Sequence, residues 1–354
     1  MTEVTQTPPA DLPDLPDLPD RPLSICVVGA GAIGGAIAAQ LAAAPPEAGI
    51  GAVSVVARGA HLAAIQAQGL RLRTTSAPDI RTFQVTATDD PDSLPAQDVI
   101  ITALKGHQIP PMADQLARLL APHGRILSVV NGLPWWYPIS DGNGGTRGAD
   151  EVDPGGALWS AIGPARAIGA IAFFSAFVEE PGLINVNNEG YIDLGRLPGQ
   201  DTRDVLRMAE VMQAAGLSIR RTQPFQNALW NKIMGNAALN SVCAVSQTPV
   251  HKALADPVLM QFVVAIMHEV QAVGLAEQVV FPTSPEQRAQ AAREKLRIKP
   301  STLQDLEAGR PMEIEPIFGA ALAVARSHGL GCPNLALVTA MLRAIDRTRF
   351  GDPA

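Results

Sequence analysis

The sequence predicts an α/β protein in two parts, a doubly wound sheet with helices on both faces and, after it, an all-helical domain. Three observations predict it. Apolar runs of strand length alternate with helical stretches from Leu23 to about residue 200, a glycine turn from Gly29 to Gly34 joins the first such run to the first helical one, and from Asp201 onward the pattern is helical and broken by proline. At 354 residues the chain exceeds the size at which a single core keeps growing, and 47% hydrophobic residues suffice for two. The expected division is 1–22 as a disordered tail, 23–200 as the sheet domain and 201–354 as the helical domain.

Each element has its own signal. Residues 1–22 hold an Asp-Leu-Pro repeat from Asp11 to Pro19 that cannot donate regularly to a ladder or helix, so it reads as a tail. Order begins at Leu23, where SICVVGAGAIGGAIAAQLAAA reads as strand, turn and helix. A second strand, Ala52 to Gly59, leads into the helical HLAAIQAQ with a stop at Gly69. LRLRTT and TFQVTAT read as a hairpin, DVIITAL (Asp98 to Leu104) as a buried strand, Pro111 to Leu120 as a helix, and RILSVVNG (Arg125 to Gly132) as another strand. Trp135 to Gly156 is a glycine-rich irregular stretch. RAIGAIAFFSAFV and YIDLGRL supply two more strands, and DVLRMAEVMQAAG, NALWNKIMGNAALNSVCAV and PIFGAALAVARSHGLG read as helices.

Composition removes several function classes. A net charge of −7 disfavours nucleic acid or an anionic membrane as a partner. The three cysteines, Cys26, Cys243 and Cys332, are widely spaced in apolar surroundings, so neither a disulfide framework nor a metal site is expected. The first twenty residues lack a basic start, an apolar core and a small-residue cleavage site, so no secretory signal is read there. No apolar run free of turn-formers reaches about 18 residues, so no membrane span is expected. The expected location is the cytoplasm.

Gly29-Ala30-Gly31-Ala32-Ile33-Gly34 fits G-x-G-x-x-G and stands between an apolar strand and a helix start. Gly29 permits the tight turn, Gly31 lets a pyrophosphate approach the backbone, and Gly34 allows close packing of helix on strand, with the helix N-terminus facing the phosphates. The first domain therefore reads as a Rossmann-type dinucleotide-binding domain. The second strand ends in Ala57-Arg58, where an enzyme selective for NAD carries an acidic residue for the ribose 2′-hydroxyl. Arg58 suits a 2′-phosphate, so the expected cofactor is NADPH.

Of the 27 lysines and arginines only five are lysines (105, 232, 252, 295 and 299), and Lys232 lies inside the apolar ALWNKIMGNAALNSV. On a helix Lys232, Asn236 and Asn240 share one face. One ammonium and two carboxamides beside Trp, Ile, Met and Leu make a poor core and a good pocket lining. Reduction of a ketone needs an acid for the developing alkoxide, and an ammonium both donates the proton and stabilises the charge.

With these residues the chain resembles the ketopantoate reductases (2-dehydropantoate 2-reductases) from Ser24 to about Ala344. The matching elements are GAGAIG, the ALKGHQ segment after the fourth main strand, the NG pair of SVVNGLP, the W-x-K-x-x-x-N-x-x-x-N helix, and KPSTLQDLEAGRPMEIEPIFG. The resemblance implies Lys232 as general acid and Glu313 as the carboxylate that orients substrate hydroxyls. It implies that Ser301 holds the substrate carboxylate and that Asn131, Asn236 and Asn240 line the pocket, with Asn131 also at the cofactor. Lys105 and Gln108 would sit at the cofactor, Lys105 near the nicotinamide ribose. Ser301 also reads as a helix N-cap, with Gln304 completing a capping box. The implied reaction is hydride transfer from NADPH to C2 of ketopantoate in a cleft between the domains, and the implied assembly is a homodimer through the helical domain, which serves substrate binding and dimerisation.

Some features depart from the family pattern. Met312 stands where a threonine often precedes the glutamate, Val250 where some members have asparagine, and the loop WWYPISDGNGG after Asn131 is longer and more aromatic than in compact members. Trp135, Trp136 and Tyr137 either pack this loop onto the second domain or shape a roomier substrate cavity. Two other functions stay open: reduction of a different small 2-oxo acid, and a non-catalytic NADP-sensing protein, against which the presence of both Lys232 and Glu313 argues.

Overall fold

The computed structural model describes residues 15–142 and 144–351. They form two compact units, one from residues 15–130 and 157–225, the other from 131–142, 144–156 and 226–351.

The first unit begins with strand β1 (Leu23–Val28), helix α1 (Ala32–Ala42), β2 (Ile50–Val56) and α2 (Gly59–Gln68). It continues through β3 (Leu70–Thr74), β4 (Arg81–Phe83), β5 (Thr86–Thr88), β6 (Gln97–Thr102), α3 (Ala113–Leu119) and β7 (Leu120–Val129). Residues 131–156 then pass to the other unit and carry the short strands β8 (Ile139–Ser140) and β9 (Thr146–Arg147). The chain returns with α4 (Ala157–Ala161), β10 (Ala167–Ala172), β11 (Ser175–Glu180), β12 (Leu183–Asn188), β13 (Ile192–Gly195), α5 (Arg203–Ala214) and β14 (Ile219–Arg220).

Eight strands form the main sheet in the order β14-β13-β10-β7-β6-β1-β2-β5. From β5 to β10 all pairs are parallel, as expected; β13 runs antiparallel to β10. Val99 to Ile101 and Ile25 to Val28 are wholly buried, as strands covered on both faces require. Four strands, β11-β12-β3-β4, make a second sheet against which α1 packs. The expected hairpin is thus only half a hairpin: β3 pairs with β4, but the chain then leaves for the edge of the main sheet as β5. RAIGAIAFFSAFV likewise divides into β10 in one sheet and β11 in the other. The corner needs Gly190, where a Cβ would stand 2.1 Å from the Phe173 carbonyl oxygen.

Two expected boundaries move. The tail does not extend to residue 22: Leu18 is buried in the core of the first unit, Arg125 donates to the Pro16 carbonyl, and Arg21 makes a bidentate pair with buried Asp98 at 2.7 and 2.8 Å. Residues 1–14 of the expected tail lie outside the described residues. The first unit does not stop at residue 200 either. Val205, Met208, Val211 and Met212 of α5 join the same core as β1. At roughly 1.5–3 kcal/mol for each side chain removed from water, that face is worth on the order of 6–12 kcal/mol before entropy is counted. Buried Asp204 adds bonds from Arg125 at 2.6 Å and Arg196 at 2.5 Å.

The second unit is helical: α6 (Phe225–Ser246), α7 (Val250–Ala253), α8 (Pro257–Ala276), α9 (Pro285–Lys295), α10 (Ser301–Glu307), α11 (Ala320–Ser327) and α12 (Pro333–Phe350), with a π-helical turn at Glu315–Gly319 and the β8–β9 ribbon. By length and composition α8 is apolar enough to cross a membrane, but it lies against α9, α11 and α12 with Val263, Ile266, Met267, Val270 and Val273 buried. The aromatic loop belongs to this unit, and Trp135, Trp136 and Tyr137 are all buried.

Candidate active site

In the first unit the candidate cofactor residues stand at the carboxyl ends of three adjacent parallel strands, β6, β1 and β2, the end at which open α/β sheets take ligands. Gly29 has φ +98°, and a Cβ there would meet the Ala103 carbonyl oxygen at 2.9 Å. At Gly34 a Cβ would stand 2.1 Å from the Gly29 carbonyl oxygen, so this glycine is required for α1 to start where it does. Gly31 differs: a Cβ would have no described atom within 4 Å. Two glycines close the turn and the third leaves room over it, which is the space a pyrophosphate needs.

The N–H groups of Gly29 and Ala30 donate to the Val56 carbonyl at 3.1 and 3.3 Å. The amides of Gly31, Ala32, Ile33 and Gly34 head α1, where no intrahelical acceptor exists. Ala30, included among the expected cofactor residues, therefore has no N–H to give a phosphate. Arg58 follows β2, is exposed and occupies the N-cap position of α2. Lys105 and Gln108 bracket a single turn after β6, in which the Gln108 Oε1 accepts from the Lys105 amide at 3.2 Å.

The second unit gathers the other expected residues around α6. This helix is continuous over Phe225–Ser246, so Lys232, Asn236 and Asn240 do share a face. Burial pulls the Lys232 ammonium down to about 8, against the charge of Glu313, which acts in the opposite direction. Asn236 Nδ2 donates to Asn131 Oδ1 at 2.6 Å, and Asn240 Nδ2 donates to Ser301 Oγ at 3.4 Å and Thr302 Oγ1 at 3.3 Å. Ser301 is not the N-cap; Pro300 takes that position, so Ser301 is the first helical residue and its hydroxyl is not used as a cap.

Gly132 explains how Asn131 and Glu313, far apart in sequence, come together. Its φ is +102°, and a Cβ would stand 2.1 Å from the Pro316 carbonyl oxygen. The Leu133 amide donates to that same oxygen at 2.8 Å. From the other side, α12 holds the segment through Arg343 to Glu315 at 2.7 and 2.5 Å and through Asp346, which accepts from the Met312 amide at 3.0 Å. Glu313 is thus fixed on both flanks by contacts that involve its backbone neighbours.

Two family models cover most of the chain: ketopantoate reductase PanE/ApbA over residues 25–199, and its C-terminal domain over 224–346. The chain belongs to the ketopantoate reductase family. A 2-dehydropantoate 2-reductase from Mesorhizobium japonicum is 38% identical over 325 residues, 91% of this chain and 98% of that one. Among solved structures, a Ralstonia solanacearum protein described as a candidate ketopantoate reductase superimposes with a TM-score of 0.82 at 30% identity, over 92% of this chain and 98% of that one. The 2-dehydropantoate 2-reductase of Geobacter metallireducens gives 0.75 at 28% identity, over 90% and 99%.

Several residues of this family member escape a reading of the sequence. Arg343, Glu315 and Asp346 have no spacing signal, because α12 meets the Glu313 segment only in the folded unit. Tyr137, by contrast, was singled out with the aromatic loop, and it follows the packing reading: its hydroxyl donates to Glu277 and accepts from Trp230 Nε1 and Gln226 Nε2, both at 2.9 Å. It ties the loop after Asn131 to the helix that carries Lys232.

Proposed function

We propose that the chain is a cytoplasmic, NADPH-dependent reductase that converts ketopantoate to pantoate. The observation that carries this reading is Lys232, partly buried on the polar face of α6, its ammonium lowered to about 8 by loss of water and raised in opposition by the charge of Glu313. An acid of that strength is charged at neutral pH and gives up its proton readily.

The first unit suits the cofactor, since Gly31 leaves open space before the amides that head α1 and Arg58 can pair with a 2′-phosphate. The bound nicotinamide supplies a hydride. Lys232 donates its proton to the C2 oxygen as negative charge develops there, which leaves a hydroxyl. Glu313 receives hydrogen bonds from the substrate hydroxyl and keeps the ammonium charged. Ser301, whose hydroxyl oxygen accepts from Asn240, offers its own proton to the carboxylate, and Asn131 and Asn236 hold one another in place. The family's homodimer is supported by apolar side chains that α8 and α12 leave exposed, Val258, Leu275, Leu337 and Met341.

The rival substrates lose part of their support, because Tyr137 of the aromatic loop is committed to Glu277, Gln226 and Trp230 of the helical unit. The test is loss of NADPH absorbance with a panel of 2-oxo acids, ketopantoate included and NADH as control. Ketopantoate turned over fastest is the expected result; ketopantoate at background, with another 2-oxo acid reduced, overturns the substrate assignment. NADPH binding without turnover of any acid favours the sensor.

A further inference from the structure

His61, in the first turn of α2, reaches back to the glycine turn. Its Nε2 lies 2.7 Å from the Ala30 carbonyl oxygen, and its Nδ1 accepts from the Gly182 amide at 3.1 Å. A carbonyl only accepts and an amide N–H only donates, so the proton must be on Nε2 and the lone pair on Nδ1. Both ring nitrogens are committed, and the tautomer is fixed by its surroundings.

Gly182 is itself well anchored. It precedes β12 with φ +78°, a Cβ there would stand 3.0 Å from Ala64 of α2, and its carbonyl accepts from the Arg71 amide of β3 at 2.8 Å. The second sheet therefore holds the imidazole, and the imidazole holds the Ala30 carbonyl. In a trans peptide the C=O and the following N–H point in opposite directions. A carbonyl drawn toward α2 turns the Gly31 N–H the other way. Gly29 and Ala30 spend their amides on Val56, so Gly31 is the first amide of the turn left for a ligand. The next peptide, Gly31–Ala32, is held in turn by its carbonyl, which accepts from the Gly35 amide at 2.7 Å in the first turn of α1.

We propose that His61 is a positioning residue for the dinucleotide: through the Ala30 carbonyl it sets the peptide plane that aims the Gly31 amide at the pyrophosphate. The inference rests on the glycine turn being the dinucleotide site. The pyrophosphate is common to both nicotinamide cofactors, so His61 acts on NADPH and NADH alike, unlike Arg58.

The two contacts of His61 can be separated. In His61→Gln the carboxamide nitrogen can occupy the Nε2 position and donate to Ala30, whereas in His61→Asn the shorter side chain can reach only the Nδ1 position and serve Gly182. Gly31→Ala places a methyl in the open space without a clash in the protein. Dissociation constants for NADPH and NADH are measured by cofactor fluorescence on each variant, with thermal midpoints alongside. The expected result is that Asn weakens both cofactors about tenfold, the usual worth of one hydrogen bond, while Gln stays within about threefold of the parent. If Asn and Gln bind both cofactors equally well while Gly31→Ala weakens them, His61 is only a structural tie and the inference is overturned. If Gly31→Ala binds both cofactors as the parent does, the reading of the turn fails and the inference goes with it.

Discussion

The glycine turn of the first unit and the α6 face of the second are built from different parts of the chain. At the turn the working groups are backbone amides, and the residues that matter are those whose missing side chains let the backbone close up: Gly29, Gly31 and Gly34. On α6 the working groups are side chains, one ammonium and two carboxamides, with Glu313 and Asn131 brought in by loops. A backbone site carries no titrating proton and depends on peptide orientation. A side-chain site titrates, and substitution can remove its chemistry while leaving the fold intact. The two parts of a reductase need these opposite properties, one to grip a charged cofactor at any working pH, the other to deliver a proton.

The largest effect should come from the side-chain half. Lys232→Ala removes the proposed acid and should lower kcat by at least about a hundredfold, with the NADPH dissociation constant little changed. A parallel loss of cofactor binding would mean that the two halves are not separable in this way. Gly132→Ala tests a place where a glycine serves the side-chain half. Its φ of +102° and the Pro316 oxygen at 2.1 Å leave no space for a methyl, and the clash is with backbone. Thermal unfolding should show a loss of about 2 kcal/mol or more, with lower turnover in the folded fraction because Asn131 and the Glu313 segment separate. Arg58→Ala is the converse, a side chain in the backbone half. The KM for NADPH should rise about tenfold or more, as for loss of one charged hydrogen bond, and that for NADH should stay near its parent value. Equal effects on both cofactors remove the 2′-phosphate assignment.

What could be read in the sequence follows the same division. The glycine turn and the Lys232, Asn236, Asn240 face were legible because each is set by local geometry, a turn of six residues and a helix of period 3.6. Asn131, Ser301 and Glu313 came only through family resemblance, since what brings them to α6 is long-range: the Gly132 contact with Pro316 and the bonds from α12 for Asn131 and Glu313, and the bond from Asn240 for Ser301. His61 had no signal at all, because its two partners lie 31 and 121 residues away. The cap assigned to Ser301 failed by one position, since a proline directly before it can itself stand at the N-cap. The domain boundary at residue 200 failed because β14 is two residues long, too short to show a period, and because the apolar face of α5 does not say which core it will join.

The smallest expected effect is also the most specific. Lys232 must be charged to donate, so the reductase is active below its pKa and loses activity as pH rises through about 8. Burial sets that value and Glu313 opposes it, because a nearby negative charge favours the ammonium. Glu313→Gln keeps the shape and hydrogen bonds but removes the charge, so the alkaline limb of kcat/KM should move to lower pH; Glu313→Asp, which keeps the charge, should move it less. Plotted for the free enzyme, this limb reports Lys232 itself and not substrate affinity alone. Gly31→Ala, which alters only the backbone half, should leave the limb where it is even as cofactor binding weakens. A limb that moves in Gly31→Ala, or that stays fixed in Glu313→Gln, would break the division between a half that grips and a half that titrates.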